Sequence, residues 1–289
     1  MYKEPILIAE IGCNHKGDMD IAREMIDTAH VFCKVKYVKF QKRCLEECLT
    51  PSEFSAPHPN PANSYGKTYG EHRKFLEFDL AQHRELKEYC ESKGMVYFSS
   101  VWDITSAKEM TSLKPEIIKV PSACSTHLKL IEVLCGEFGG EIHIALGMTS
   151  RKEEEELVSF IEKKNRIKDT VLYHCISGYP VPFDNMSLME IVRLKKTYGG
   201  KVKDIGFSGH HLGIAIDVAA YTLGANYIER HYTLDRTWKG TDHAASLEPE
   251  GMRKLKRDLL AAYKSLSYRK EEILEIEKEQ RLKLKWDRK

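Results

Sequence analysis

Short apolar runs rich in Ile, Val, Tyr and Phe alternate with longer stretches whose apolar residues recur every three or four positions. The runs predict strands at Ile6–Gly12, Tyr37–Gln41, Met95–Val101, Ile117–Ser122, Glu141–Gly147, Val171–Ser177, Asp204–Phe207 and Tyr227–Thr233. The periodic stretches predict helices at Met19–Phe32, Leu80–Lys93, Thr105–Leu113, Thr126–Glu137, Lys152–Lys164, Leu188–Thr197, Gly213–Leu223 and Pro249–Leu266. Eight β–α units over about 250 residues fit an α/β fold of the (β/α)8 TIM barrel type. Near-continuous apolar strands suit a parallel sheet covered on both faces. A doubly wound open sheet is the alternative. It would carry a glycine-rich first turn, and Ile8–Asp18 (IAEIGCNHKGD) is not GxGxxG.

The barrel domain is expected over residues 1–267. Within it, Lys42–Phe78 is a polar, proline-bearing insertion after the second strand, a length usual for a lid or an interface piece. A charged tail, residues 268–289, follows and reads as a solvated helix or frayed end.

Composition narrows the function classes. With 42% hydrophobic and 30% charged residues, the chain reads as an ordinary soluble globular protein. A net charge of +2 gives no general attraction for nucleic acid or membrane. No apolar run is long enough to span a bilayer. The N-terminus is apolar too briefly for a signal peptide and carries Glu4 and Glu10. Eight scattered cysteines without a CxxC pair fit reduced thiols in a cytoplasmic protein.

The candidate chemistry lies at the strand ends, where barrels of this kind place their catalytic groups. Glu10, Asn14 and His15 follow the first strand, Lys39 and Gln41 lie on the second, and Lys119 and Ser122 close the fourth. Ser177 and Tyr179 close the sixth, Ser208 and His210 the seventh, and Glu229 and His231 the eighth, with Asp242 beyond. Two lysines with Ser122 and Ser208 can neutralise a phosphate. Two imidazoles can hold a divalent metal that polarises a carbonyl, and carboxylates at Glu10 and Asp242 can orient hydroxyls or move protons. Singly, a strand lysine reads as a snorkelling edge residue and a lone histidine as a satisfied core residue. Their shared position at one barrel end is what argues for an active site. Glu229 could instead pair with Arg230 or Lys39. His15 and Asn14 could cap the first helix, for which Asp18 is the better candidate.

These residues fall in IAEIGCNHKGD, VKFQK, IIKVPS, HCISGYPVP, GFSGHHLG and IERHYTLDRTWKGTDHAASLEPE. In these motifs the chain resembles the sialic acid synthase (N-acetylneuraminate synthase) family over about residues 5–267. Its GKTYGEH segment looks like the animal-type branch. The resemblance implies a transferase of carbohydrate biosynthesis that condenses phosphoenolpyruvate with an N-acetylhexosamine, plain or 6-phosphorylated. The product is a nine-carbon 2-keto sugar acid, and phosphate is released. It implies a divalent metal, manganese or magnesium, at His210 and His231, and phosphoenolpyruvate at Lys39, Lys119, Ser122 and Ser208. It implies catalytic Glu10, Glu229 and Asp242, a sugar held by Gln41, Ser177, Tyr179 and Cys124, and a homodimer. Three departures stand out. Cys124 takes the place of an acid, and Ser177 that of an asparagine of bacterial members. The charged tail resembles the family's linker but not the antifreeze-protein-like cap beyond it. The cap is then a separate chain, the sugar is held otherwise, or the sequence is a piece of a longer one. The competing classes are a metal-dependent hydrolase, which would want an HxH pair on the first strand, and a catalytically impaired barrel acting as a binding or assembly subunit.

Overall fold

A computed structural model describes residues 2–286; Met1, within the predicted barrel domain, and residues 287–289 of the predicted tail lie outside the described residues. The strands are β1 (Ile6–Gly12), β2 (Tyr37–Lys42), β3 (Val96–Val101), β4 (Ile117–Val120), β5 (Glu141–Ala145), β6 (Thr170–Cys175), β7 (Asp204–Gly209) and β8 (Tyr227–His231). They pair in parallel, each with the next, and β8 pairs with β1 to close the barrel. The expected (β/α)8 TIM barrel is the fold.

Helices α1 (Met19–Val31), α2 (Leu45–Cys48), α3 (Pro51–Ser55), α4 (Tyr69–Leu76), α5 (Leu80–Ser92) and α6 (Ile104–Ser112) belong to the first half. Then come α7 (Leu128–Glu137), α8 (Arg151–Lys163), α9 (Met189–Tyr198), α10 (Ala215–Thr222), α11 (Pro249–Ser265) and α12 (Glu275–Leu284). Asp18 caps α1 by accepting from the Asp20 and Ile21 amides, as its sequence position predicts. The insertion is not one long loop. Thr50 and Glu53 form a capping box that opens α3 with Pro51 at its first turn, and Thr68 caps α4. The tail carries the exposed helix α12.

The strand pleat divides each strand into two faces. Outward residues such as Leu7, Ala9, Ile11, Val38 and Phe40 pack under the helices in the larger apolar cluster. Inward residues change character along the strand. Ile8, Phe98, Ile117, Tyr173 and Tyr227 fill the lower barrel. Two positions further on, the same faces carry Glu10, Ser100, Lys119, Cys175 and Glu229. A dry floor therefore supports a polar upper layer at the C-terminal mouth. His143, donor or acceptor to Tyr173 Oη at 2.8 Å, is a floor residue.

Candidate active site

Register sets the layer. Glu10 stands opposite Lys39 on β2 and opposite His231 on β8. Ser100 stands opposite Lys119, and Ser208 opposite Glu229. One cavity at the mouth is lined by Glu10, Lys39, Gln41, Lys119, Ser122, Tyr179, Ser208, His210, Glu229 and His231, and also by Ser100, Trp102, Pro121, Ala145 and Cys175.

The charged groups form one buried network. Lys39 Nζ lies 2.5 Å from Glu10 Oε2 and donates to Ser100 Oγ at 2.7 Å. Lys119 Nζ donates to Glu229 Oε1 at 2.6 Å, Ser208 Oγ donates to the same oxygen at 3.1 Å, and Lys39 approaches it at 3.7 Å. Burial alone would raise the Glu229 carboxyl, but the Lys119 and Lys39 charges hold it down at about 2. Burial lowers the Lys119 ammonium despite the pull of Glu229. Gln41 Nε2 donates to Glu10 Oε1 at 2.8 Å, and its Oε1 accepts from Arg43 at 2.5 Å. A ligand phosphate or carboxylate arriving here meets two lysines already pointed inward.

The two histidines face each other with ring centroids 5.6 Å apart, and Tyr179 lies 4.3 Å from His210 by the same measure. His210 Nδ1 lies 3.1 Å from the Ile176 carbonyl, which orients the ring and leaves Nε2 for the cavity. Burial, followed by the neighbouring His231, lowers His210 to about 3, so the ring stays neutral. His231 Nδ1 is buried without a hydrogen-bond partner among the described residues. A neutral, oriented imidazole beside a second ring with an unpartnered nitrogen fits a divalent cation.

The remaining predicted residues sit around this centre. Ser177 is half-buried at the rim, its hydroxyl 2.9 Å from that of Ser122. A Cβ at Gly147 would fall 2.4 Å from Ser177 Oγ, so the serine pair needs that glycine. Cys124 does not line the cavity; its thiol donates to the Trp102 carbonyl at 3.2 Å. Asp242 precedes the short turn His243–Ala245. Burial would raise its carboxyl, but His231 and Arg73 hold it below the usual range. Asn14 and His15 serve packing: Asn14 donates to the Tyr232 carbonyl, and His15 stacks on Phe78 with centroids 3.9 Å apart. Arg230 pairs with Asp217 and His211 rather than with Glu229.

Three lining or supporting residues escape the strand-end reading: Ser100, Trp102 and Arg43. The Ser99–Ser100 pair at the end of an apolar run was the available signal for the first. Arg43 is buried, paired with Glu77 at 3.1 Å and laid 3.9 Å above the Trp102 ring centre.

A second group of potential metal ligands lies outside the mouth. One ligand atom each from Cys44, Glu47 and Asp103 comes within 4.8 Å of the others. Their oxygens are already engaged at the start of α6. Asp103 accepts from the Ser106 amide at 2.6 Å and hydroxyl at 2.8 Å, and Glu47 accepts from the Ile104 amide at 3.1 Å. Among the described residues no helix is long and apolar enough to cross a membrane, and all eight cysteines are free thiols.

A family model described as the NeuB family matches residues 25–271. The human protein named N-acetylneuraminate-9-phosphate synthase is 36% identical over 271 residues, 94% of this chain and 74% of that protein. The N,N'-diacetyllegionaminic acid synthase of Campylobacter jejuni is 32% identical over 88% of this chain and 75% of its own. A crystal structure of the N-acetylneuraminic acid (sialic acid) synthetase of Leptospira borgpetersenii in complex with citrate superposes with a TM-score of 0.81. It is 31% identical, over 98% of this chain and 93% of that one. A barrel mouth built from these lysines, histidines and carboxylates, matched along most of the chain, places the protein in the NeuB family.

Proposed function

We propose that this chain condenses phosphoenolpyruvate with an N-acetylhexosamine, forming a nine-carbon 2-keto sugar acid and inorganic phosphate. The observation that carries the reading is the convergence of Lys39 and Lys119 with His210 and His231 in one cavity, around an ionised Glu229.

Lys39, Lys119, Ser122 and Ser208 hold the phosphate and carboxylate of phosphoenolpyruvate by charge-assisted hydrogen bonds. On binding, the ligand anion replaces Glu10 and Glu229 as partner to part of the lysine charge. The released carboxylates then face the reacting carbons. A divalent metal at His210 and His231 would supply Lewis-acid polarisation of the acceptor carbonyl. Gln41 and Tyr179 position the open-chain sugar against C3 of phosphoenolpyruvate. A carbon–carbon bond forms between C3 and the aldehyde carbon, and the aldehyde oxygen takes a proton. Water adds at C2, its proton passing to a carboxylate of the Glu10, Glu229 and Asp242 set. The tetrahedral intermediate expels inorganic phosphate by C–O cleavage and leaves the 2-keto group.

The acceptor is phosphorylated at C6 in this reading. Arg73 on α4 has no carboxylate in contact among the described residues, and its charge acts on Asp242 and Cys13 at the mouth. Lys239 stands on the same side, over the Tyr65 ring. The human relative's name also specifies a 9-phosphate product.

The test is phosphate release from phosphoenolpyruvate with manganese and a panel of hexosamines, plain and 6-phosphorylated. Turnover with an N-acetylated member is expected. No turnover with any member, with manganese still bound, would replace this reading by that of a binding or assembly subunit.

A further inference from the structure

Asn14, in the turn after β1, takes no part in any step above, yet it joins two pieces of the mouth. Its side chain is buried. The amide donates twice, to the Tyr232 carbonyl at 2.9 Å and to Ser246 Oγ at 2.9 Å. Ser246, buried as well, donates its hydroxyl proton to the Asp242 carbonyl at 2.7 Å. Tyr232 follows His231, which lines the cavity at the end of β8. One amide therefore ties the strand end that carries His231 to the turn that carries Asp242.

The chain between them is a loop that leaves β8 and returns at Leu247. Its base is pinned by backbone bonds: the Leu247 amide donates to the His231 carbonyl at 2.8 Å, and the Thr233 amide to the Leu247 carbonyl at 3.0 Å. Asp242 lies away from that base. Its carbonyl is held by Ser246, and the ring of the next residue, His243, is held through Nδ1, 2.7 Å from Thr233 Oγ1. The Asp242 carboxyl is within electrostatic reach of His231 and Tyr179. A group that moves a proton must keep within about 0.5 Å of its productive place, and a loop keeps it there only through a supporting shell.

The junction asks for an amide. Ser246 spends its single proton on Asp242, so towards Asn14 it can only accept, and the Tyr232 carbonyl can only accept. A hydroxyl at position 14 would have one proton for two acceptors, and a carboxylate would have none. The side-chain NH2 of asparagine supplies both.

We infer that Asn14 is a positioning residue for the reaction, its amide fixing Asp242 relative to His231 through Ser246 and Tyr232. This rests on the synthase reading and adds to it the residues that hold its Asp242 carboxylate in place.

The test is steady-state kinetics of the full chain with phosphoenolpyruvate, manganese and N-acetylmannosamine, plain and 6-phosphorylated, beside manganese titration and urea unfolding. Ser246→Ala cuts the link to Asp242 alone. It should lower kcat about tenfold, as a small misplacement of a reacting group does, with phosphoenolpyruvate KM and manganese binding within about twofold. Asn14→Ala should lower kcat at least as far and also weaken manganese about threefold, because the strand end beside His231 is released too. Ser246→Thr, which keeps the hydroxyl, should recover most of the loss. In an Asp242→Asn background, adding Ser246→Ala should change kcat by less than about twofold, since both changes remove one function. The Ser246 variants carry the test if Asn14→Ala does not fold. Ser246→Ala that lowers urea stability and leaves kcat unchanged, or that costs a further tenfold in the Asp242→Asn background, overturns the positioning role alone. Inactivity of the unsubstituted chain with every acceptor overturns the synthase reading, and the positioning role with it.

Discussion

Lys119 and Glu229 are 110 residues apart in sequence, yet Lys119 Nζ lies 2.6 Å from Glu229 Oε1 inside the barrel mouth. Both side chains are almost wholly buried. Lys119→Met would leave Glu229 with only Ser208 and the more distant Lys39. Removing one partner of a buried pair typically costs about 3–5 kcal/mol. The variant should therefore unfold at lower urea concentration, and its phosphoenolpyruvate KM should rise by at least tenfold where it remains folded. A loss below about 1 kcal/mol would mean that Lys39 alone carries the Glu229 charge.

The metal assignment makes a prediction free of turnover. His210→Asn and His231→Asn should each weaken manganese binding by about tenfold or more, read as free manganese in electron paramagnetic resonance titrations. Cys44→Ser should leave binding unchanged, because the carboxylates beside Cys44 are committed to the start of α6. Loss on the cysteine change and none on the histidine changes would move the cation to the Cys44, Glu47 and Asp103 group.

Much of the barrel was readable in advance because it rests on period. The first strand, Ile6–Gly12, was bounded without error, since an apolar run between polar turns has few alternative readings. The insertion was less legible. Its prolines suggest a loop, but Thr50-Pro-Ser-Glu53 and Thr68-Tyr-Gly-Glu71 each carry the cap-and-glutamate spacing of a helix start. The candidate residues were legible as strand-end positions, and the cavity gathers ten of them. Their partners were not. Register along neighbouring strands can be guessed from sequence, whereas the Lys119–Glu229 contact crosses the barrel. Arg43 and Trp102 escaped because each follows its strand at a turn, where the pleat no longer tells inward from outward.

Acid should weaken the fold through buried neutral imidazoles. Burial, the leading cause in each case, lowers His15 and His83 to about 3. Unfolded histidine takes its proton near 6.5, so the unfolded chain protonates first as pH falls. The stability from these two groups is complete above about 6.5 and is lost progressively as pH drops toward 3. Urea unfolding should show roughly 3 kcal/mol less stability at pH 5 than at pH 6.5 from these two residues. In His83→Gln the slope of stability against pH should fall by about one proton. A slope unchanged by that substitution would show that His83 is not held neutral by the fold.

If the acceptor carries a 6-phosphate, Arg73 should separate it from the plain sugar. Its Nε donates to Tyr69 Oη at 3.0 Å, an anchor that sets the guanidinium on the side of Asp242. A guanidinium so placed meets a sugar phosphate through charge-assisted bonds, each contributing about 1.5–3 kcal/mol. Arg73→Met should then raise the KM for N-acetylmannosamine 6-phosphate by about 10- to 100-fold. The KM for unphosphorylated N-acetylmannosamine should move less than about threefold, because no phosphate is there to lose. Added salt should weaken the phosphorylated acceptor in the unsubstituted chain and have little further effect in the variant. An equal rise in both KM values would place Arg73 in support of Asp242 instead, with the acceptor's phosphate bound elsewhere.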